Sequence, residues 1–467
     1  MKLVLYDVTH TSHCGVNSGI QRVVRRLARH WPVAAAASGS EDIVLQPVVY
    51  DSYLKAWRHL DGREKRLLDF EQNTKPGQKR GASWTLWQRT RGRWSRRLGV
   101  KVAQTFLSVP ILAPFNRAKY STDRNVCATL PQVTAFICPE LFAGDKRREN
   151  FDLIKTQCDF APAGRKIAIF YDMIAIDMPE KMPAIVVSRY RDYLERLREF
   201  DVVAAISEDS RERLLRYWRE QGNKQGQGNE QGQGNERGQV KTPEVIAIPL
   251  GVDAVAGAEC VPASPSPSPA SASAGAGAST NANAGAQSPL VLSVGTLEGR
   301  KNHVALLDAC EALWKKGIQF RLRLIGMLNK ETGAPAAGKV AALQAAGNPV
   351  EWWPDADDKA LFASYKECVF TVYPSLYEGF GLPVLESLAH GRPCVCSGLS
   401  AMAEIVRDGD GGSGCVSVGD PTAENIARGM ERLLRDRLKI VALSKEALAR
   451  KIRTWDDYAS DMRTLAK

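Results

Sequence analysis

The sequence predicts an α/β fold in which two Rossmann-like domains follow one another, each doubly wound around a parallel sheet. Apolar segments of strand length alternate with segments of helical repeat through most of the chain, which is the pattern of parallel sheets. The 467 residues are too many for one hydrophobic core and suit two or three domains. A tract rich in Ala, Ser, Pro and Gly at residues 256–288 predicts the linker between the domains.

The first domain is predicted over residues 1–255 and begins with a strand at Lys2–Val8. A Gly-containing loop follows, and apolar residues at helical spacing start at Ile20, so the domain opens with strand, loop and helix. A polar, Gly-rich repeat at residues 221–240 predicts a flexible surface loop. The other predicted elements are strands at Asp42–Tyr50, Thr134–Cys138, Ile167–Phe170, Val202–Ile206 and Val245–Ile248, a helix at Tyr190–Phe200 and a helix capped by Ser207–Ser210.

The second domain is predicted over residues 289–450, where the alternation of strands and helices favours another parallel sheet. Residues 451–467 are predicted to end a last helix that runs without a break over Lys445–Ala466. The predicted strands are Pro289–Val294, Phe320–Gly326, Val350–Trp353, Phe370–Tyr373 and Pro393–Ser397, and the other helices are Val304–Lys316, Lys339–Ala346, Lys359–Cys368 and Thr422–Leu434.

The net charge of +11 is concentrated in one basic aromatic segment, residues 72–122. This segment contains eleven Lys or Arg and no Asp or Glu, and Trp and Phe residues are interleaved with them. Three explanations stay open: an anionic membrane surface, a solvated loop that packs back onto its domain, and nucleic acid, which is the least favoured. No apolar run approaches the roughly 18 residues of a membrane span.

The ten cysteines include no C-x-x-C pair, which favours reduced thiols over structural disulfides. The N-terminus begins with an acid-containing strand pattern and does not have the pattern of a signal peptide. These features predict a cytoplasmic protein, peripheral on the inner membrane face if the basic aromatic segment binds lipid.

The stretch Tyr373–Gly391 carries the most informative motif. A buried strand is predicted to end at Tyr373. Pro383 stands where a helix would begin, because the N–H that proline lacks has no intrahelical partner there. Gly379 and Gly381 permit a sharp bend and the close approach of a ligand.

Two carboxylates, Glu378 and Glu386, flank this turn and could both face the crevice at the carboxyl end of the strand. Carboxylates accept hydrogen bonds from sugar hydroxyls. The exposed N–H groups around Phe380, Gly381 and Leu382 would suit a phosphate. The combination predicts a nucleotide-sugar site, and the alternative is a strand–turn–helix corner with two solvated glutamates.

The string P-S-x-x-E-G-F-G-L-P-x-x-E over residues 374–386 resembles the signature of retaining glycosyltransferase family 4. Its members have the GT-B fold, in which two Rossmann-like domains face a central cleft. The string G-I-Q-R-V from Gly19 is similar to the first-loop motif of this family, which approaches the donor diphosphate and the acceptor. The resemblance implies that Glu386 binds the ribose, that Glu378 binds the donor sugar, that the anomeric configuration is retained, and that the terminal helix could return to the first domain.

Arg300 and Lys301 lie at a strand-to-helix turn opposite the glutamate motif. Fixed cations aimed at the charge that builds on a departing diphosphate lower the barrier to transfer. In the family a basic pair at this turn holds the diphosphate in place of a metal. Lys301 matches the family's lysine, and Arg300 is expected to substitute for an arginine whose position is held here by Thr296.

Tyr171 and Asp172 follow the strand at Ile167–Phe170, where related enzymes often have His-Asp. A histidine role therefore does not carry over, although Tyr171 could offer its hydroxyl to the donor. Asp172 matches the family position but could equally cap a turn. Asp355-Ala-Asp357 has the D-x-D form of some metal sites, yet its place before a helix predicts a cap, so neither metal nor other cofactor is expected.

The predicted function is transfer of a hexose, with mannose as the first expectation, from a UDP- or GDP-linked sugar. The acceptor would be a saccharide, lipid-linked in the synthesis of envelope polysaccharide or lipopolysaccharide. One alternative is a GT-B sugar-nucleotide epimerase or phosphorylase, which an acceptor-independent product or a need for phosphate would identify. Another is a non-enzymatic peripheral binding protein with a degenerate site, which would bind neither UDP nor GDP.

Overall fold

The computed structural model describes the two sheets and the helices around them. The residues described are 2–15, 19–37, 43–51, 56–69, 132–142, 159–182, 184–227, 242–253, 255, 257–261, 288–407 and 413–467. The basic aromatic segment, most of the predicted loop at 221–240 and most of the predicted linker at 256–288 lie outside these residues.

A seven-stranded sheet forms the centre of the first domain. Its strands are β1 (Lys2–Asp7), β2 (Ile43–Asp51), β3 (Ala56–His59), β4 (Val133–Cys138), β5 (Phe160–Phe170), β6 (Val202–Ala205) and β7 (Glu244–Ala247). Its helices are α1 (Gly19–Ala37), α2 (Gly62–Leu68), α3 (Ile174–Asp177), α4 (Ala184–Arg196) and α5 (Glu208–Gln227). The strand order is β3-β2-β1-β4-β5-β6-β7, and every neighbouring pair is parallel except β2 and β3.

A six-stranded sheet forms the centre of the second domain, with all neighbours parallel in the order β10-β9-β8-β11-β12-β13. These strands are β8 (Leu290–Val294), β9 (Arg321–Ile325), β10 (Val350–Trp353), β11 (Phe370–Tyr373), β12 (Cys394–Cys396) and β13 (Cys415–Ser417). The helices that follow the first domain's five are α6 (His303–Lys315), α7 (Ala334–Ala345), α8 (Asp358–Glu367), α9 (Leu382–Ala389), α10 (Met402–Arg407), α11 (Ala423–Arg435), α12 (Arg437–Ala449) and α13 (Trp455–Leu465).

The prediction of two doubly wound α/β domains is confirmed. Strands such as β6 are buried along their whole length, as expected where helices cover both faces of a parallel sheet. In the second sheet β8 lies between β9 and β11. The loops that leave β8 and β11 therefore open at a point where the strand order reverses, and ligands of such sheets bind at that edge.

The prediction of one helix over Lys445–Ala466 is wrong. The chain forms α12 and α13, with a break at residues 450–454. There Val252 bridges to Thr454, whose hydroxyl accepts a hydrogen bond from the N–H of Asp457 and caps α13. The chain must turn at this point because α12 packs in the second domain whereas α13 packs against α1 of the first. Trp455 is 1% exposed in the shared core.

The remaining differences are local. The sequence analysis did not predict β3, β13, α2, α3 or α10, which are short. Helix α7 starts five residues before the predicted Lys339, with proline in its first turn. The eight cysteines in the described ranges are free thiols, as predicted. No helix among these residues has both the length and the hydropathy that a membrane crossing needs.

Candidate active site

The corner between β11 and α9 has the predicted strand–turn–helix form. Gly381 adopts φ +99°, which favours glycine, and Pro383 occupies the first turn of α9. No side chain caps this helix start. Phe380 is buried in the main core cluster, with Leu382 packed against that cluster. The role assigned to the N–H groups of this turn in binding a phosphate stays a prediction.

The loops after β8 and β11 bring three predicted site residues together. Lys301 Nζ lies 2.6 Å and Arg300 Nη1 lies 2.9 Å from the same oxygen of Glu378, Oε1. Arg300 Nη2 also pairs with Glu298 at 2.7 Å, and the hydroxyl of Tyr373 contacts Lys301 Nζ. Two cations and two carboxylates therefore form one compact charged cluster, and each cation is held in place before any ligand arrives.

The protonation of this cluster follows from its burial and its charges. Burial alone would raise the pKa of Glu378, but Lys301 and Arg300 outweigh that effect and lower this pKa to about 2. Burial lowers the pKa of Lys301, and the neighbouring Glu378 partly offsets this change. Burial also disfavours the charged form of Arg300, yet Glu378 and Glu298 raise the pKa of this side chain overall. Glu378 is thus an anion across the physiological range, and the raised pKa of Arg300 keeps that neighbouring side chain positively charged.

The carboxylate of Glu386, in the second domain, forms an ion pair with the first domain. Its Oε1 forms an ion pair with Arg22 Nη1 of α1, and its Oε2 lies 3.4 Å from the hydroxyl of Tyr365. Arg22 also reaches Asp253 Oδ2 at 3.4 Å. The sequence analysis quoted Arg22 only as part of the first-loop motif and missed it as a site residue. Gly19 in that motif is the first residue of α1, and a Cβ added there would meet no atom within 4 Å.

Tyr171 is 5% exposed, and its hydroxyl donates a hydrogen bond to the carbonyl of Pro139 at 2.6 Å. The hydroxyl thus has a partner within the first domain, and its contact with a donor sugar stays a prediction. The carboxylate of Asp172 accepts a hydrogen bond from the N–H of Ile174 at 3.0 Å, which is the geometry of the turn cap. Burial nevertheless raises the pKa of Asp172, and this residue also lines the cavity between the domains.

Gly379 has a role that differs from the one predicted. Its carbonyl accepts hydrogen bonds from the hydroxyls of Ser207 at 2.7 Å and Ser210 at 3.2 Å, both in the first domain. A Cβ at Gly379 would lie 2.4 Å from the carbonyl oxygen of Tyr171. The absence of a side chain thus permits close contact between the domains, whereas the sequence analysis expected it to admit a ligand.

A cavity of about 390 Å³ lies between the domains beside this contact. Its first-domain side is mainly apolar, and its second-domain side is polar and includes Arg300. The first-domain residues are Ile20, Leu141, Tyr171, Asp172, Ile174, Ala175, Lys181, Met182, Val186 and Tyr190, and the second-domain residues are Glu298, Arg300, Asn329, Glu331 and Thr332. Its volume falls within the usual range for small-molecule sites.

The D-x-D sequence forms the predicted cap. The carboxylate of Asp357 accepts a hydrogen bond from the N–H of Ala360 at 2.8 Å and so begins α8. Within the described ranges, no group of three or more His, Cys, Asp or Glu side chains is arranged to hold a metal ion.

Comparisons with known proteins assign a family to the second domain. Residues 280–452 match the family model of the glycosyl transferases group 1. The O-antigen chain mannosyltransferase B of Escherichia coli is 36% identical over 124 residues, which are 25% of this chain and 30% of that protein. The phosphatidyl-myo-inositol mannosyltransferase of Mycobacterium leprae is 30% identical over 157 residues, which are 33% of this chain and 40% of that protein. The chain thus spans less than half the length of these relatives.

Solved structures confirm the GT-B fold for the whole chain. Sucrose-phosphate synthase from Thermosynechococcus elongatus has a TM-score of 0.56 at 17% identity, covering 100% of this chain and 98% of that chain. Anabaena HepE, solved with UDP and glucose, has a TM-score of 0.56 at 13% identity, covering 100% of this chain and 99% of that chain. Residues 280–452 thus match the group 1 glycosyltransferase model within a chain that has the GT-B fold.

Replacing Glu378 by Gln is expected to destabilise the chain at neutral pH by about 3 kcal/mol, because Lys301 and Arg300 then lose a buried counter-charge. Since the folded-state pKa of Glu378 is depressed from 4.5 to about 2, its contribution is present above pH 4.5 and is lost as the pH falls toward 2. Thermal denaturation of the wild type and of Glu378→Gln measures the effect. The difference between their Tm values should be constant above pH 4.5 and should shrink as the pH falls toward 2.

The matched control is Glu424→Gln, whose carboxylate is 82% exposed and pairs with Arg428 on the surface. Its Tm should follow that of the wild type at every pH, because exposed ion pairs contribute little. A Tm difference between the wild type and Glu378→Gln that stays the same down to the acid limit would contradict the assignment of charge to Glu378.

Proposed function

We propose that the chain is a retaining glycosyltransferase of family 4 that transfers a hexose from a UDP- or GDP-linked sugar without a metal ion. The observation that carries this proposal is the contact of Lys301 and Arg300 with one carboxylate, Glu378, at the edge of a group 1 glycosyltransferase domain. The cations are fixed before the donor binds, which is the condition for electrostatic stabilisation of a leaving group.

In this mechanism the bond between the anomeric carbon and the diphosphate breaks, and its electron pair remains on the phosphate oxygen. Lys301 and Arg300 neutralise that charge. The departing phosphate accepts the proton of the acceptor hydroxyl, whose oxygen bonds to the same face of the sugar. Glu378 binds hydroxyls of the donor sugar, and Glu386 binds those of the ribose. Because the leaving group removes the proton, no carboxylate is assigned as a general base, and Asp172 is given no such role.

Mannose is the proposed sugar because several relatives are named as mannosyltransferases. These include the O-antigen chain mannosyltransferase B and the serotype-specific mannosyltransferase WbdA, both of Escherichia coli. The first of these names also supports a saccharide acceptor in the synthesis of envelope polysaccharide or lipopolysaccharide.

A lipid-linked acceptor would suit the two-sided cavity. Ile174, Met182 and Val186 give its first-domain side an apolar surface, whereas Asn329 and Thr332 on the second domain offer groups for sugar hydroxyls. An acceptor with a sugar at one end and an apolar chain at the other could contact both sides. The basic aromatic segment would bring such an enzyme to the anionic inner face of the membrane from the cytoplasm.

Replacing Lys301 by Ala should lower kcat for sugar transfer by about 10²–10³-fold, as expected when one group that stabilises developing charge is removed. Replacing Glu386 by Ala should abolish measurable transfer by removing the ribose contact. Lys315→Ala, at a side chain that is 74% exposed on α6, should retain the wild-type rate. The measurement is release of UDP or GDP with each sugar nucleotide and a lipid-linked saccharide, and wild-type turnover by either site variant would disprove the assignment.

Reversing the charge at Arg93, Arg96 and Arg97 to Glu should abolish binding to liposomes that contain anionic lipid. Each basic residue near such a surface contributes about 1 kcal/mol, so this change removes a large part of the attraction. Co-sedimentation with liposomes of phosphatidylcholine alone and with added phosphatidylglycerol measures the effect.

The control for net charge is a triple reversal at Lys315, Lys316 and Arg428, whose side chains are 74%, 59% and 72% exposed on the second domain. This variant has the same net charge as the first and should still bind. Equal binding by the wild type and the variant at Arg93, Arg96 and Arg97 would show that the basic aromatic segment does not contact the membrane.

A further inference from the structure

The ion pair between Arg22 and Glu386 is the feature of the cleft that the proposed function does not use. Arg22 projects from the second turn of α1 in the first domain, and Glu386 lies in α9 of the second. The arginine side chain is 25% exposed and the glutamate side chain is 9% exposed, so the contact is largely shielded from water. Arg22 of the first domain thus contacts the same carboxylate, Glu386 of the second domain, that is proposed to bind the ribose.

Each oxygen of Glu386 lies beside a polar side chain, although the ion pair at Oε1 does not have the geometry of a hydrogen bond. Arg22 pairs with Oε1, and the hydroxyl of Tyr365 lies 3.4 Å from Oε2. The 2′- and 3′-hydroxyls of a ribose are two adjacent donors that match the two oxygens of one carboxylate. Because the Glu386 side chain is only 9% exposed, a ribose that binds both of its oxygens would have to enter the space that Arg22 occupies beside Oε1.

Asp253 gives Arg22 a second carboxylate within its own domain. Arg22 Nη2 lies 3.4 Å from Asp253 Oδ2, and Arg26 Nη2 lies 2.8 Å from the same oxygen. A displaced Arg22 could therefore keep a counter-ion, which lowers the cost of leaving Glu386. Burial disfavours the charged form of Arg22, but Glu386 and Asp253 raise its pKa overall, so the guanidinium stays charged and the exchange does not depend on its titration.

Other contacts hold the domains together when Arg22 moves. The hydroxyl of Ser207 donates to the carbonyl of Gly379, and the carboxylate of Glu404 accepts from the N–H of Asp209 at 2.6 Å. The exchange at Glu386 is thus local and does not require the cleft to come apart.

We propose that Arg22 is a positioning residue that holds Glu386 through their ion pair and is exchanged for the ribose hydroxyls when the donor binds. This inference rests on the proposed function, because it takes Glu386 as the ribose ligand. It assigns to Arg22 the control of donor affinity. The ion pair must be broken whenever a nucleotide binds, so the contact weakens binding by the free energy of that pair.

The test compares Arg22→Gln with Arg29→Gln, which removes an exposed charge two turns further along the same helix. Calorimetric titration with UDP and GDP measures the Kd. Arg22→Gln should bind both nucleotides up to about fivefold more tightly, the factor expected for loss of a competing ion pair of modest strength. Arg29→Gln should match the wild type, and Arg22→Lys, which keeps the charge, should restore most of the wild-type Kd.

A nucleotide that lacks the 2′- and 3′-hydroxyls distinguishes the exchange at Glu386 from a general effect of the Arg22→Gln substitution on the fold. With 2′,3′-dideoxyuridine diphosphate, the wild type and Arg22→Gln should have the same Kd, because this ligand does not compete for Glu386. In steady-state transfer, Arg22→Gln should lower the KM for the donor and leave kcat near the wild-type value.

Weaker binding of UDP and GDP by Arg22→Gln would overturn the inference, because Arg22 would then be a ligand of the donor itself. An unchanged Kd for both nucleotides would overturn it as well, and so would an equal gain with the dideoxy nucleotide. A wild type that binds neither UDP nor GDP would instead disprove the proposed function on which the inference rests. The two failures are therefore distinguishable.

Discussion

A buried lysine and a half-buried arginine that share one carboxylate oxygen form the interaction on which the rest of the site depends. Lys301 and Arg300 reach Glu378 only because β8 and β11 are neighbours whose loops open at the same edge of the sheet. Burying this much charge is costly unless it is paired, so the cations and the carboxylate hold one another in place. The result is a preorganised set of charges that a diphosphate can use without rearranging the fold.

A second pairing of a carboxylate with a cation lies between the domains. Arg22 of α1 pairs with Glu386 of α9, so each proposed donor-binding carboxylate has a cationic partner. Gly379 lies close to Tyr171 and accepts a hydrogen bond from Ser207. These contacts fix the position of the two domains relative to each other. In the proposed exchange, donor binding would replace Arg22 at Glu386, so the affinity for the donor would depend on the strength of this ion pair.

Much of this architecture could be predicted from the sequence, because strands, turns and helices leave patterns in short stretches of residues. The meeting of Lys301 with Glu378 follows from that local pattern together with the strand order of a doubly wound sheet. The pairing of Arg22 with Glu386 could not be predicted, since it depends on how two domains close. No feature of the sequence predicts that the hydroxyl of Tyr171 donates a hydrogen bond to the carbonyl of Pro139. The break before α13 did have one, because Thr454 and Asp457 have the spacing of a capping box.

The central claim is that side-chain cations, not a metal ion, neutralise the departing diphosphate. The initial rate of sugar transfer by the wild type, measured with excess EDTA and again with added Mn²⁺, tests it most directly. The account predicts equal rates under the two conditions, because Lys301 and Arg300 supply the charge. Loss of transfer in EDTA with full recovery on adding Mn²⁺ would contradict it.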